Sequence, residues 1–169
     1  MKKIFLTLAI VLLLSMPSHS QETLPAAQDL IRVLNNEKIE YKLEFDKLGN
    51  VVVIDFQGDN ISQYTIRALF EKENPDLAKI AAYDFVSVKN VQSKEKILKL
   101  INTLNQRYSF AKFIYDDKAK TLDLTVDARF SNDVKGKYVN RGQMAYKLID
   151  ILSYICNDCY PALMRAIWN

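Results

Sequence analysis

The residues best suited to chemistry are two cysteines near the C-terminus, Cys156 and Cys159, which form a C-x-x-C pair. In an oxidising compartment such a pair can act as a thiol redox centre. A redox pair is normally placed at a helix N-terminus, which lowers the thiol pKa, whereas these cysteines come late in a predicted helix. Their spacing also places them on its apolar face. We therefore predict packed cysteines or a structural disulfide, with a redox role as the alternative.

The aspartates offer three further pairs for acid–base chemistry or calcium binding: Asp116 with Asp117, Asp123 with Asp127, and Asp55 with Asp59. The first pair falls in a predicted hairpin turn, where aspartate is favoured for local hydrogen bonding. The second pair alternates onto the solvent face of a predicted strand. None of the three has the spacing of an EF-hand loop. The sequence therefore predicts no carboxylate site and no metal, since two sulfurs alone do not complete a zinc site either.

The single histidine of the chain, His19, falls within the first twenty residues. If that segment is removed, the working protein contains no imidazole. This excludes Ser-His-Asp and Cys-His catalysis and every metal site that relies on histidine. We predict no catalytic residue and no cofactor, and we expect that the protein is not an enzyme.

The N-terminal segment has the composition of a secretory signal peptide. Lys2 and Lys3 precede an apolar run over residues 4–14, and small residues follow at Ser18 and Ser20. This is the usual order of charged region, apolar region and cleavage site. The run is far shorter than the roughly 20 apolar residues of a membrane span. We predict that residues 1–20 are cleaved after Ser20 and that the protein is exported without a stable membrane anchor, to the periplasm or outside the cell.

Removal of residues 1–20 from the 169-residue chain leaves 149 residues, the usual size of a single domain. A chain of this length buries enough apolar surface to fold without a metal or a disulfide. The removed segment carries Lys2 and Lys3 and no acid, so the formal charge falls from +3 to +1. This balance argues against a nucleic-acid partner, whose binding site needs a local excess of lysine and arginine.

Hydrophobic periodicity predicts three helices and six strands in the order α-β-β-β-β-α-β-β-α. The helices are predicted from Pro25 to about Asn36, from a Ser93 cap to Tyr108, and from about Tyr138 onward, the last broken or kinked by Pro161. The strands are predicted over 39–45, 51–56, 62–72, 77–88, 110–115 and 121–127. Helix is the alternative for 62–72 and 77–88, where β-branched residues are few. The order predicts an α+β fold with an antiparallel sheet packed against helices.

The stretch from Ile97 to Phe113 carries a family resemblance. It places Asn102 and Asn105 near a helix end before an aromatic strand, and an alternating strand follows over 122–130. This pattern resembles the YbjN-like domain, also described as a bacterial sensory-transduction regulator, and the resemblance extends more weakly from about Leu30 to the last helix. On this basis residues 21–169 are predicted to form a single YbjN-like α+β domain. The resemblance implies a two-layer sandwich like that of type III secretion chaperones, whose members often pair and hold extended partner segments. A protein or peptide partner and a homodimer are therefore expected.

The last predicted helix is apolar on more than one side, because Ile151, Tyr154 and Ile155 lie outside its main apolar face. Such a helix is either buried between layers or exposed at an interface. Trp168, at the end of the helix, can likewise close the core or anchor a partner. We therefore treat these four residues as a possible interface and interior packing as the other interpretation.

The sequence as a whole favours an exported, non-enzymatic module that binds a protein or peptide with a chaperone-like or regulatory role. One alternative is a thiol redox protein built on Cys156 and Cys159. The other is a sensor of a small ligand in a groove between the sheet and the helices.

Overall fold

Three helices and six strands make up the part of the chain that the computed structural model describes, residues 22–91, 93–130 and 140–168. The helices are α1 (Pro25–Glu37), α2 (Lys94–Arg107) and α3 (Arg141–Trp168). The strands are β1 (Lys42–Phe45), β2 (Gly49–Phe56), β3 (Tyr64–Glu71), β4 (Leu77–Ser87), β5 (Lys112–Asp116) and β6 (Thr121–Arg129). The predicted signal peptide, the loop at Gly136 and the predicted helix start at Tyr138 lie outside the described residues.

The six strands form one antiparallel sheet in the order β1-β2-β3-β4-β6-β5. Burial alternates along the strands, most clearly in β3, where Tyr64, Ile66, Ala68 and Phe70 are buried and the residues between them are not. The buried side chains join those of the helices in one core. This arrangement confirms the predicted α+β class, an antiparallel sheet packed with helices, and the predicted order of elements.

Helix α3 is the main cover of the sheet. It contacts α1 and the strands β3, β4 and β6. Gly142 lies at its contact with α1, where a Cβ atom would come within 2.2 Å of the carbonyl oxygen of Asp29, so only glycine permits this approach. Although α3 has 28 residues, no helix in the described ranges is long and apolar enough to cross a membrane.

Pro161 lies inside α3, and the predicted break at this position does not occur. Proline has no N–H to donate to the carbonyl four residues earlier, which belongs to Asn157. That carbonyl instead accepts a hydrogen bond from Nδ2 of Asn60 at 3.1 Å. The loop between β2 and β3 therefore supplies the hydrogen bond that the helix itself lacks.

The strand and helix ends differ from the prediction in several places. Gly49 and Asn50, predicted as a turn, begin β2. The buried side chain of Asn50 accepts a hydrogen bond from the backbone N–H of Leu24 at 2.5 Å and so holds the segment that leads into α1. Phe110, predicted in a strand, is exposed in the turn before β5. Ser93 occupies the N-cap position of α2 but makes no side-chain capping hydrogen bond.

The two edges of the sheet are finished differently. At the β5 edge, the Asn105 side chain accepts from the N–H of Phe113 at 2.7 Å and donates to its carbonyl at 3.1 Å, as a neighbouring strand would. This assigns a structural role to Asn105. At the other edge, β1 has only β2 beside it among the described strands, and its Phe45 side chain is 38% exposed.

Candidate functional site

Cys156 and Cys159 lie on the buried face of α3, and both are free thiols with no exposed surface. They are one turn apart, and the Cys159 thiol donates to the carbonyl of Cys156 at 3.7 Å. Neither is near the N-terminus of α3, which begins at Arg141. The helix dipole and free amides that activate a redox cysteine are therefore absent at both thiols.

Burial changes the acidity of both thiols in the direction that opposes redox chemistry. Desolvation raises the pKa of Cys156 far above its ordinary value, and the neighbouring Cys159 adds to the rise. Burial, together with the Asp158 carboxylate, raises the pKa of Cys159 to about 12. The nucleophilic thiolate is therefore scarce near neutral pH. This geometry disfavours the redox alternative.

The aspartates of the β5–β6 turn are occupied by local contacts. Asp116 accepts the N–H groups of Lys118 and Ala119, both at 2.8 Å, which is how aspartate stabilises a turn. Asp117 pairs with Lys120 at 2.7 Å and Lys94 at 2.9 Å, and these hydrogen bonds hold its pKa well below the usual range. Neither carboxylate is set up as a general base.

The other aspartates also act locally. Asp123 accepts the N–H of Asp84 at 2.9 Å, within an irregularity where β4 pairs with β6, and burial raises its pKa. Asp55 accepts the Thr65 hydroxyl at 2.7 Å and pairs with Lys42 at 3.4 Å, so its pKa is lowered. Across the described ranges, no group of three or more His, Cys, Asp or Glu residues could hold a metal ion.

The four residues predicted as a possible interface do not all lie on one surface. Ile151 is 38% exposed, Tyr154 is 66% exposed and Trp168 is 70% exposed. Ile155 is only 4% exposed and belongs to the core, so it is removed from the set. We call the remaining three residues the α3 stripe, because their spacing places them along the outward side of that helix.

The α3 stripe is held in place by contacts on the flank of the helix. The Asp158 carboxylate accepts from Arg107 at 2.9 Å and from the hydroxyl of Tyr108, which ties α3 to the end of α2. The Ser153 hydroxyl lies 2.7 Å from that of Tyr64 on β3. Sequence reasoning missed these partners, because residues 50 or more positions apart along the chain give no local signal.

Among the described residues, a slot at the contact between the sheet, α2 and the end of α3 lies where the small-ligand groove was predicted, and it is too small for such a ligand. The slot there, lined by Ile97, Leu122 and Ile167 among others, has a volume of about 10 Å³. That is about the minimum for one water molecule. A hollow of about 610 Å³ opens instead between α1 and the start of α3, lined mainly by polar side chains such as Asp29, Arg32 and Arg141. Asp29 pairs with both arginines, so these charged groups already have partners.

Comparisons with known proteins give a similarity of fold. No family model matches the chain, and no curated protein matches it. Among solved structures, a chain in the crystal structure of the ExsC-ExsE complex is similar, with a TM-score of 0.51 and 13% sequence identity. The match covers 79% of this chain and 90% of that chain. This shows a similar fold and supports the predicted chaperone-like architecture, while the YbjN-like resemblance stays a prediction.

The buried thiols predict how stability changes at alkaline pH. The folded thiols keep their protons above the ordinary pKa of 9.0, whereas unfolded thiols release them. Their contribution is fully present below about pH 9, and the free energy of unfolding then falls by up to about 1.4 kcal/mol per pH unit for each thiol. We expect urea unfolding between about pH 8 and pH 10 to show this fall, and a smaller one in the Cys156→Ala/Cys159→Ala variant. Equal slopes in both proteins would contradict the assignment.

Proposed function

We propose that this protein is an exported, non-catalytic module that binds another protein through the α3 stripe. The observation that carries the proposal is the exposure of Ile151, Tyr154 and Trp168 along the outward side of a helix whose opposite side is buried. Single exposed apolar residues are common on protein surfaces, but several aligned on one helix indicate a contact surface.

The residue types in the α3 stripe suit a protein partner. Tyrosine and tryptophan are enriched among the residues that contribute most to protein–protein binding, because each buries a large area and keeps a polar group for hydrogen bonding. Arg165 is exposed within the same length of helix, and arginine is also enriched in interfaces. The contacts of Asp158 and Ser153 hold α3 rigid, so little conformational entropy is lost on binding.

The fold comparison supports the proposal at the level of architecture. A chain of similar fold occurs in the ExsC-ExsE complex, and this similarity supports a protein-binding role for the present chain. For the present chain we infer a chaperone-like or regulatory role, in which the partner is bound and not chemically changed. The alternatives are weaker, since the two thiols are buried and the sheet–helix slot is nearly filled.

Substitutions within the α3 stripe provide a test of the binding surface. We expect Tyr154→Ser to reduce the amount of partner cross-linked to the protein in intact cells by about tenfold, which corresponds to a loss of about 1.4 kcal/mol and lies within the range of an interface tyrosine that contributes strongly to binding. Tyr83→Ser is the matched control, since Tyr83 is also an exposed tyrosine but lies on β4. Quantitative mass spectrometry of the cross-linked products makes the measurement. Equal loss in both variants, or no loss in either, would contradict the proposed surface.

Export has a separate test, because the two parts of the proposal can fail independently. We expect protein from fractionated cells to appear in the periplasm or the medium, with Gln21 as its first residue. N-terminal sequencing and intact mass measure this, and a Ser20→Pro variant, which hinders cleavage, should accumulate in the longer form. An intact Met1 on wild-type protein in the cytosolic fraction would overturn export and leave the binding proposal standing.

A further inference from the structure

We propose that two copies of this chain pair through their β1 strands, in antiparallel orientation about a two-fold axis at Leu43, so that their sheets become continuous. The juxtaposition that carries this inference is a free backbone edge whose side chains are complementary to themselves when Leu43 lies opposite its symmetry mate. This surface is separate from the α3 stripe.

The backbone of β1 presents free hydrogen-bonding groups at the sheet edge. Asp46 and Gly49 exchange both backbone hydrogen bonds, at 2.8 and 3.2 Å. Since such pairs alternate along an antiparallel ladder, Glu44 and Lys42 also bond to β2, and the N–H and C=O groups of Leu43 and Phe45 point away from it. At the β5 edge the corresponding groups of Phe113 are taken by Asn105. Within the described ranges, β1 is therefore the more open edge.

Charge favours a register centred on Leu43 over registers centred on its neighbours Lys42 and Glu44. With Leu43 opposite its symmetry mate, Lys42 of each copy lies opposite Glu44 of the other, and both are exposed on the sheet face away from the helices. Registers centred on Lys42 or on Glu44 would place like charges opposite each other, which is destabilising. Within each copy Lys42 already pairs with Asp55, and Glu44 with Arg67. Pairing of the two copies would therefore extend these alternating positive and negative side chains from one sheet into the other.

The helix-side face of β1 is complementary in the same register. Tyr41 of each copy lies opposite Phe45 of the other, and the two Leu43 side chains meet at the axis. These side chains are only partly covered within one copy, and Phe45 is 38% exposed. Cross-strand aromatic pairs are among the more favourable contacts in sheets. Beyond them Glu40 would face Asp46, so the paired segment ends at Tyr41 and Phe45. A join this short gives a weak, reversible dimer.

Sedimentation velocity of the purified protein over a range of concentrations tests the proposal. We expect reversible dimerisation of the wild type. Leu43→Pro removes the outward N–H of residue 43 in both copies, so the pair loses two hydrogen bonds and dimer affinity should fall by about tenfold or more. Leu43→Ala is the matched control, because it shortens the side chain and keeps the N–H. Circular dichroism and the urea midpoint report whether each variant is folded.

Exchanging the charges at positions 42 and 44 tests the register of the pair without introducing a proline. Lys42→Glu and Glu44→Lys should each weaken the dimer, and the double variant should restore it, although the contacts with Asp55 and Arg67 stay disrupted within each copy. A wild type that is monomeric throughout would overturn the proposal, as would a dimer equally strong in Leu43→Pro and Leu43→Ala. The proposal would also be overturned if the protein were monomeric and residue 43 cross-linked to a different polypeptide.

Discussion

Helix α3, the main cover of the sheet, continues through Pro161, and the carbonyl group of Asn157 is the point at which this continuity needs a substitute hydrogen bond. Pro161 leaves this carbonyl without its helical hydrogen bond, and an interior proline costs a helix about 3 kcal/mol. Two hydrogen bonds donated by Asn60 offset part of that cost. Its side-chain amide donates to the carbonyl at 3.1 Å, and its backbone N–H donates to the Asn157 side chain at 2.9 Å. Gly58 belongs to the same contact, because a Cβ there would lie 2.5 Å from Asn157 Oδ1.

A continuous α3 determines what each of its residues can do. The side toward the sheet places Cys156, Cys159 and Leu163 beneath the strands, where the thiols act as small apolar side chains and their pKa is raised. The opposite side presents Ile151, Tyr154 and Trp168. The C-x-x-C motif, which suggests redox chemistry in the sequence, therefore contributes to core packing in the structure.

Local patterns predicted most of the fold, because each helix and strand has the periodicity of its own buried face. The contacts that join elements were not predictable, since Asn60 and Asn157 are 97 positions apart and neither is unusual in its own segment. Asn105 was recognisable as part of a motif, but its pairing with Phe113 needed the strand beside it. For Ile155 the sequence left an interface and interior packing open, and the structure places it in the core, because a helix that lies across β3, β4 and β6 buries a wide face.

A double-mutant cycle on Asn60 and Pro161 tests most directly whether α3 depends on this substitute hydrogen bond. Asn60→Ala removes the side-chain donor and leaves the backbone N–H in place, so we expect it to lower the free energy of unfolding by about 1 kcal/mol in the wild type. In a Pro161→Ala background, residue 161 regains an N–H for the Asn157 carbonyl, and the same change should cost almost nothing. An equal cost of Asn60→Ala in both backgrounds, measured by urea unfolding, would contradict the account.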